Sequence, residues 1–513
     1  MAARTWIGFA AMCLGMFMAV LDTQVVATSL PAISTALGIP AERMSWIQTA
    51  YLIAEVVAIP LTGVLTRAFG LRALFALAVG AFTLASIGCA ASTGFASLVT
   101  ARVAQGLFGG MLIPLVFSAV FLLFPLRSQG FATTLAGVLA VLAPTVGPIV
   151  GGWVTQTTSW HWLFLLNVVP GAIACAVGLS MLARESGDRR LLRTLDPIGL
   201  LLLAICLASL QVGLKEAPER GWQAAPVLAL LAVSLLAGSA FVRRMLQAPE
   251  PIVEVRTFRD RGFAIGCALS FILGMGLYGS VYLMPVFLGF VREHGPLAIG
   301  QIMLVTGLTQ LVTSPVVVAL ERRSSARVLT VVGFALFGAG LAMSAFATGE
   351  TDFEGMFWPQ VVRGAAIMLC LLPPTRLALG AMAPEAVPDA SGLFNLMRSL
   401  GGAIGIALID TVVFGRAPVY AEALKRRLLA GDTSAAELVG LPPGTLTSVG
   451  TVPVTPAIEA MVRPLVEKAA LVQAIDQAWA MLACAMFLGC ALALFAPNRS
   501  SVATTASTAL AAG

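Results

Sequence analysis

Asp22, Glu55 and Arg102 are ionisable residues standing inside long apolar stretches of the chain. A charge at the centre of a bilayer costs roughly 2.5 kcal/mol or more unless it is paired or faces water, so each is a candidate for function. Asp22 and Arg102 fall in the same half of their stretches and are candidates to pair with each other. The plainer reading of Asp22 is a tie between helices. Glu55 lies about eleven residues from either end of its stretch, near the midplane. Gln48, Tyr51, Glu55, Ile59 and Thr62 recur at spacings of three and four, which sets them on one helix face. An acid at that depth suits a group that takes up and releases a proton, with Gln48 and Tyr51 holding a substrate beside it. Alternatively, Glu55 only hydrogen-bonds a neighbouring helix. Tyr278 and Tyr282, four apart, and Asn395 and Arg398, three apart, each share a face in the same way. Arg376 lies near the end of its stretch, where it can snorkel to the surface. His161 and His294 both fall in loops, with no zinc-ligand pair at helical spacing and no Gly-Lys-Ser/Thr phosphate loop. That argues against an intramembrane enzyme and against ATP drive, and it implies no cofactor.

Helices in lipid must hold these residues. The chain of 513 residues is 58% hydrophobic and 11% charged, against about 25% charged in a soluble domain. Fourteen apolar stretches long enough to cross a bilayer are expected, at about 6–30, 44–65, 73–92, 96–124, 129–153, 162–183, 197–214, 225–246, 262–291, 298–320, 327–347, 356–381, 391–414 and 471–496. With both ends cytoplasmic, 17 basic residues fall on the inner side against four in the short outer loops, which is the bias of cytoplasmic loops. The net charge of +6 is scattered in this way and does not suggest nucleic-acid binding. All eight cysteines lie in apolar segments and read as small packing residues. The first apolar run is too long for a signal-peptide core and reads as a retained span.

Two further stretches carry spacing. The fifth span holds Pro144, Gly147, Pro148, Gly151 and Gly152. Prolines free backbone groups that neighbouring helices must satisfy, and glycines let those neighbours approach. The reading is a bendable, tightly packed hinge helix, with a kink for packing alone as the alternative. Between the second and third spans, Gly63, Leu65, Arg67, Gly70 and Arg72 form a short basic loop on the inner side.

Together these stretches resemble the major facilitator superfamily, in its drug:proton antiporter family with fourteen spans. Gly147-Pro148 followed by Gly151-Gly152 is similar to the family's fifth-helix signature. Leu21-Asp22 with Thr23 and Leu30-Pro31 resembles its first-span motif, with Gln24 and Ala27 where Thr and Asn are common. Arg102-Val103-Ala104-Gln105-Gly106 resembles its Arg-x-x-Gln-Gly motif. In the inner gate loop, Arg67 replaces the family's Asp and Ala68 its Arg. Trp160-His161-Trp162 and Asn167-Val168-Val169-Pro170 are also similar, and read as interfacial aromatic anchoring without chemistry.

A shift of 255 residues lays Pro60, Leu65, Arg67 and Arg72 on Pro315, Leu320, Arg322 and Arg327, and Gly147 on Gly402. The expected fold is an all-α polytopic membrane protein with the major facilitator architecture. Residues 1–196 form one six-helix bundle, 197–261 two inserted helices with their linker, and 262–513 a second bundle with an outer loop at 415–470. In that architecture the second span packs on the thirteenth and brings Asn395 and Arg398 toward Glu55. The resemblance implies proton-coupled export of lipophilic drugs or toxic compounds by alternating access. A proton-coupled exporter of one specific metabolite or siderophore, or a substrate:proton symporter, is the alternative. The outer loop is either a solvated helical hairpin or a docking surface for a periplasmic adaptor protein and its outer-membrane channel. The tail after Pro497 reads as disordered.

Overall fold

In lipid an apolar segment has only its own backbone to hydrogen-bond, so each long run folds as a helix. The computed structural model describes residues 3–38, 46–184, 187–192, 196–248, 251–321, 323–380, 382–441 and 456–497. Every regular element among them is helical. Among the described residues, fourteen helices are long and apolar enough to cross a membrane, numbered here as spans 1–14: Ala3–Ala27, Trp46–Phe69, Leu71–Ala90, Phe95–Leu123, Leu126–Pro144, His161–Met181, Pro197–Arg220, Ala225–Gln247, Arg261–Phe290, Leu297–Glu321, Ala326–Ser344, Phe353–Leu379, Val387–Leu429 and Val462–Ala493. The face where span 1 begins and span 14 ends is called the terminal face, and the opposite one the far face.

Two apolar cores form. Phe9, Phe75, Phe82 and Phe117 anchor one among spans 1–6, and Phe287, Phe334, Phe337 and Trp479 anchor the other among spans 9–14. A third cluster joins them: Val56 and Ile59 of span 2 and Phe263 of span 9 meet Phe394 of span 13 and Leu203 of span 7. Span 2 packs on span 13 and span 5 on span 10, with smaller contacts of span 4 on span 13 and span 5 on span 12, so the two groups of helices meet at several crossings. Spans 7 and 8 pack chiefly on each other. Leu84, Leu235, Leu236 and Phe346 project outward, as a surface solvated by lipid requires.

Glycines set the closest crossings. A Cβ on Gly106 would overlap the Tyr51 carbonyl, and one on Gly401 the Phe271 carbonyl, so spans 2 and 4 and spans 9 and 13 touch backbone to backbone. The two largest differences from the expected boundaries are at spans 13 and 14. Span 13 does not stop near residue 414 but belongs to a helix running from Val387 to Leu429, because Pro418 is the sole proline in its second half and one proline does not end a helix whose outer turns are buried by neighbours. Those turns are buried: Leu424 and Leu428 pack with Ala435, Val439, Val466 and Ala470, and Tyr420 donates to Gln477 Oε1 at 2.9 Å. Span 14 likewise belongs to a helix that starts at Pro456. Residues 415–429, the short helix Thr433–Val439 and the helix from Pro456 thus stand together beyond the far face. Residues 442–455 and the tail expected to be disordered lie outside the described residues.

Candidate functional site

Asp22 and Arg102 meet. Arg102 Nη1 lies 2.5 Å from Asp22 Oδ2, and both side chains are fully buried. The other carboxylate oxygen accepts from Gln105 Nε2 at 2.9 Å and Asn167 Nδ2 at 2.8 Å. Arg102 also donates to Gln105 Oε1 at 2.6 Å and, through Nε, to the Ile47 carbonyl at 3.3 Å. Ser86 Oγ accepts from Gln105 at 2.8 Å. Spans 1, 2, 3, 4 and 6 each contribute a partner, so the acid is neutralised and its acceptor capacity filled.

Two residues expected beside a substrate belong to this cluster instead. Tyr51 is fully buried, with its ring 4.3 Å from the Arg102 guanidinium carbon and its hydroxyl donating to the Ala19 carbonyl at 3.4 Å. Gln48 accepts from Arg102 at 3.5 Å and donates to the Thr23 carbonyl at 3.1 Å. Both sit one to two turns nearer the far face than Glu55, level with Arg102, and the guanidinium claims their π face and amide.

Glu55 is different. It is half-buried, and its carboxylate makes no hydrogen bond or ion pair among the described residues. The sequence expectation brings Arg398 and Asn395 toward it from span 13. Span 13 does pack on span 2 as expected, and Arg398 is held by its own helix and set against span 4. Its Nη2 donates to Asn395 Oδ1, its guanidinium lies 5.1 Å from the Phe117 ring of span 4, and Asn395 Nδ2 donates to the Ser391 carbonyl at 2.9 Å. The ring of Tyr278 packs where a Cβ on Gly402 would be. Tyr282 is committed elsewhere, donating to Asp410 Oδ1 at 2.6 Å.

At the terminal face, Arg67 Nη1 pairs with Asp389 Oδ2 of span 13 at 2.9 Å. Gly63 leaves room for that acid, since a Cβ there would overlap it. Gly70 takes φ 80° at the turn between spans 2 and 3, a left-handed value that favours glycine. Arg72 is half-buried and makes no hydrogen bond or ion pair among the described residues. The helix carrying span 5 runs unbroken from Leu126 to Thr157 through a buried Pro144. Gly147 sits against the Cβ of Gln24 in span 1, and the Gly151 carbonyl accepts from Ser29 at 3.5 Å and from Thr155. Gly152 lies in the same helix, and the side chain of Pro148 lies outside those described.

A sequence profile of the Major Facilitator Superfamily matches residues 12–406. The chain belongs to that superfamily. Among its curated members, the colistin resistance protein EmrB of Acinetobacter baumannii is 36% identical over 411 residues, 80% of each chain. The multidrug export protein EmrB of Escherichia coli K12 is 30% identical over 413 residues, again 80% of each. The fatty acid resistance protein FarB of Neisseria gonorrhoeae is 30% identical over 418 residues, 80% of this chain and 81% of that protein. Among solved structures, the human organic anion transporter MFSD10 superposes with a TM-score of 0.59 at 14% identity, covering 95% of this chain and 99% of that one. The proton:xylose symporter XylE gives 0.59 at 13%, with 96% of each chain covered. At those identities the likeness shows the fold, and the chain is a multi-pass member of a transporter superfamily.

Three residues of this superfamily member escape the sequence reading. Asn167 reads from the sequence as part of an aromatic anchor, although an amide inside an apolar span is itself a signal. In the same stretch Trp160 is buried and stacks on His161 at 3.9 Å, while Trp162 is exposed. Gln105 is legible only as a motif letter, and Asp389 falls just outside the expected span 391–414.

Proposed function

We propose that this protein exports lipophilic compounds in exchange for protons. It works by alternating access in the cytoplasmic membrane, with both termini inside. Residues 1–196 and 262–513 act as the two rocking bundles, with 197–261 inserted between them. Span 5 is the hinge, through Pro144, Gly147, Pro148, Gly151 and Gly152. The names of the curated relatives, which speak of multidrug export and of colistin and fatty acid resistance, support the substrate class.

One observation carries the coupling. Every other acid buried within a span has a partner: Asp22 has Arg102, Glu321 has Arg376, Asp389 has Arg67, Asp410 has Tyr282, and Asp476 accepts from the Ala347 N–H. Among the described residues Glu55 alone of these acids has none, at mid-span, on the helix that faces the other bundle. A proton and a substrate group compete there for one carboxylate, which makes exchange obligatory. Arg398, Asn395 and Tyr278 are the substrate contacts from the opposite bundle. Gln48 and Tyr51 act through Arg102. The far-face helices, with exposed Arg416 and Arg426, are offered to a periplasmic adaptor and outer-membrane channel.

The test is transport of a panel of lipophilic compounds in proteoliposomes under an imposed pH gradient. Glu55→Gln should lose pH-driven export while substrate–substrate exchange survives. Identical pH dependence of substrate binding in wild type and Glu55→Gln would return the coupling role to Asp22. Export that persists after a protonophore collapses the gradient, with ATP absent, would remove the antiporter reading altogether.

A further inference from the structure

Span 12 crosses span 10 as span 4 crosses span 2. A Cβ on Gly106 would overlap the Tyr51 carbonyl, and one on Gly364 would come within 2.5 Å of the Thr306 carbonyl. Gln105 and Arg102 stand one and four residues before Gly106, and Arg363 and Gln360 stand one and four before Gly364. The same two side-chain types recur with their positions exchanged. The carboxylate does not recur, because span 9, Arg261–Phe290, contains no acid.

Arg363 is 3% exposed, yet its guanidinium makes no hydrogen bond or ion pair among the described residues. Its Nε is buried without a partner. Gln360, 1% exposed, accepts from Thr306 Oγ1 at 3.1 Å, while its Nε2 has no acceptor. Trp479 Nε1 is a third buried donor without a partner, on the ring whose centre lies 5.0 Å from the Arg363 guanidinium carbon. The acids of the surrounding helices are committed: Glu321 to Arg376 at 3.0 Å, Asp410 to Tyr282 at 2.6 Å, and Asp476 to the Ala347 N–H at 3.2 Å. Arg363 and Gln360 line, with Ser280 and Thr306, a cavity of about 20 Å³.

Two unsatisfied donors on residues that line this cavity, with a full positive charge in a membrane interior, call for an acceptor that is also an anion. The cavity has room for about one body of water size, too little for an organic acid. We infer that Arg363 and Gln360, beside Trp479, hold a small inorganic anion of chloride size. It neutralises Arg363 as Asp22 neutralises Arg102. This inference does not rest on the transport reading.

The experiment uses the purified full chain in detergent, at fixed pH and ionic strength, with chloride exchanged for gluconate. Chloride should raise the melting temperature saturably, and Arg363→Gln should abolish the rise. Gln360→Leu keeps the arginine and removes one donor to the ion, so half-saturation should need about tenfold more chloride. Ser280→Asp supplies the missing carboxylate in the same cavity. It should melt in gluconate as high as wild type does in chloride and should ignore chloride. Equal melting of the wild type in the two salts would overturn the site, as would a wild-type chloride response in Arg363→Gln or Ser280→Asp. Should Arg363→Gln fail to fold, Gln360→Leu and Ser280→Asp decide alone.

Discussion

Asp22 accepts three charge-assisted or amide hydrogen bonds inside a dry cluster, so removing Arg102 leaves a buried carboxylate with two neutral donors and no counter-charge. Breaking such a pair from one side costs about 3–5 kcal/mol, whereas removing both charges is close to neutral. Arg102→Leu should therefore lower the melting temperature sharply, and Asp22→Asn/Arg102→Leu should recover most of the loss. A double variant no more stable than the singles would mean the pair does not carry that energy. Asn167→Ala removes only one acceptor-filling amide and should cost about 1–3 kcal/mol. Asp22 and Arg102 were legible because a charge in an apolar run is conspicuous wherever it falls. Their amide partners were not, since a lone Asn or Gln in a span does not say which of its faces meets the charge. The same limit explains Gln48 and Tyr51, whose helix face was read correctly while the neighbour they serve was not.

At the scale of elements, most of the fold was legible, because each apolar run specifies its own helix without help from the rest of the chain. Close crossings were legible as glycine clusters but not as particular contacts. Gly147 is the case that bears on motion. A larger side chain there meets the Cβ of Gln24 with its backbone close behind, and neither can swing away. Gly147→Leu should insert at normal levels and slow exchange at least about tenfold if spans 1 and 5 must slide past each other. Gly415→Leu, whose added Cβ would meet nothing within 4 Å, is the control and should transport normally. Normal exchange by Gly147→Leu would remove span 5 from the moving parts. The far-face end of span 12 allows a test in pH. Asp352 caps that helix, and hydrogen bonds from His294 and then Arg292 hold its carboxyl below the ordinary range. Its contribution is therefore present above the ordinary carboxylate value near 4 and is lost as pH falls below it. Asp352→Ala should melt lower by about 1 kcal/mol or less at neutral pH, and the two proteins should converge as pH drops through that window.

For the whole molecule, the question is what holds the two groups of helices together at the terminal face. Arg67 of span 2 and Asp389 of span 13 supply an ion pair across the boundary, reinforced by Ser391 Oγ donating to the Pro114 carbonyl of span 4 at 3.1 Å. From the sequence, Arg67 looked like the loss of an acid from the gate loop. The acid comes instead from the far end of the chain, and no local pattern links two residues whose meeting depends on how two bundles dock. If the pair latches a closed terminal face, loading from that side requires it to break. Asp389→Asn keeps the shape that Gly63 accommodates and removes the charge, so it should shift the population toward the open face. Cys267 reports on this directly, being fully buried between the bundles in the same apolar cluster as Val56, Ile59 and Phe394. Its labelling by a membrane-permeant maleimide, mapped by peptide mass, should rise several-fold in Asp389→Asn and in Arg67→Ala. The exchanged pair Arg67→Asp/Asp389→Arg should bring it back down, because the attraction survives the swap. Labelling that stays at the wild-type rate in both single variants would show that apolar packing, and not this pair, keeps the terminal face shut.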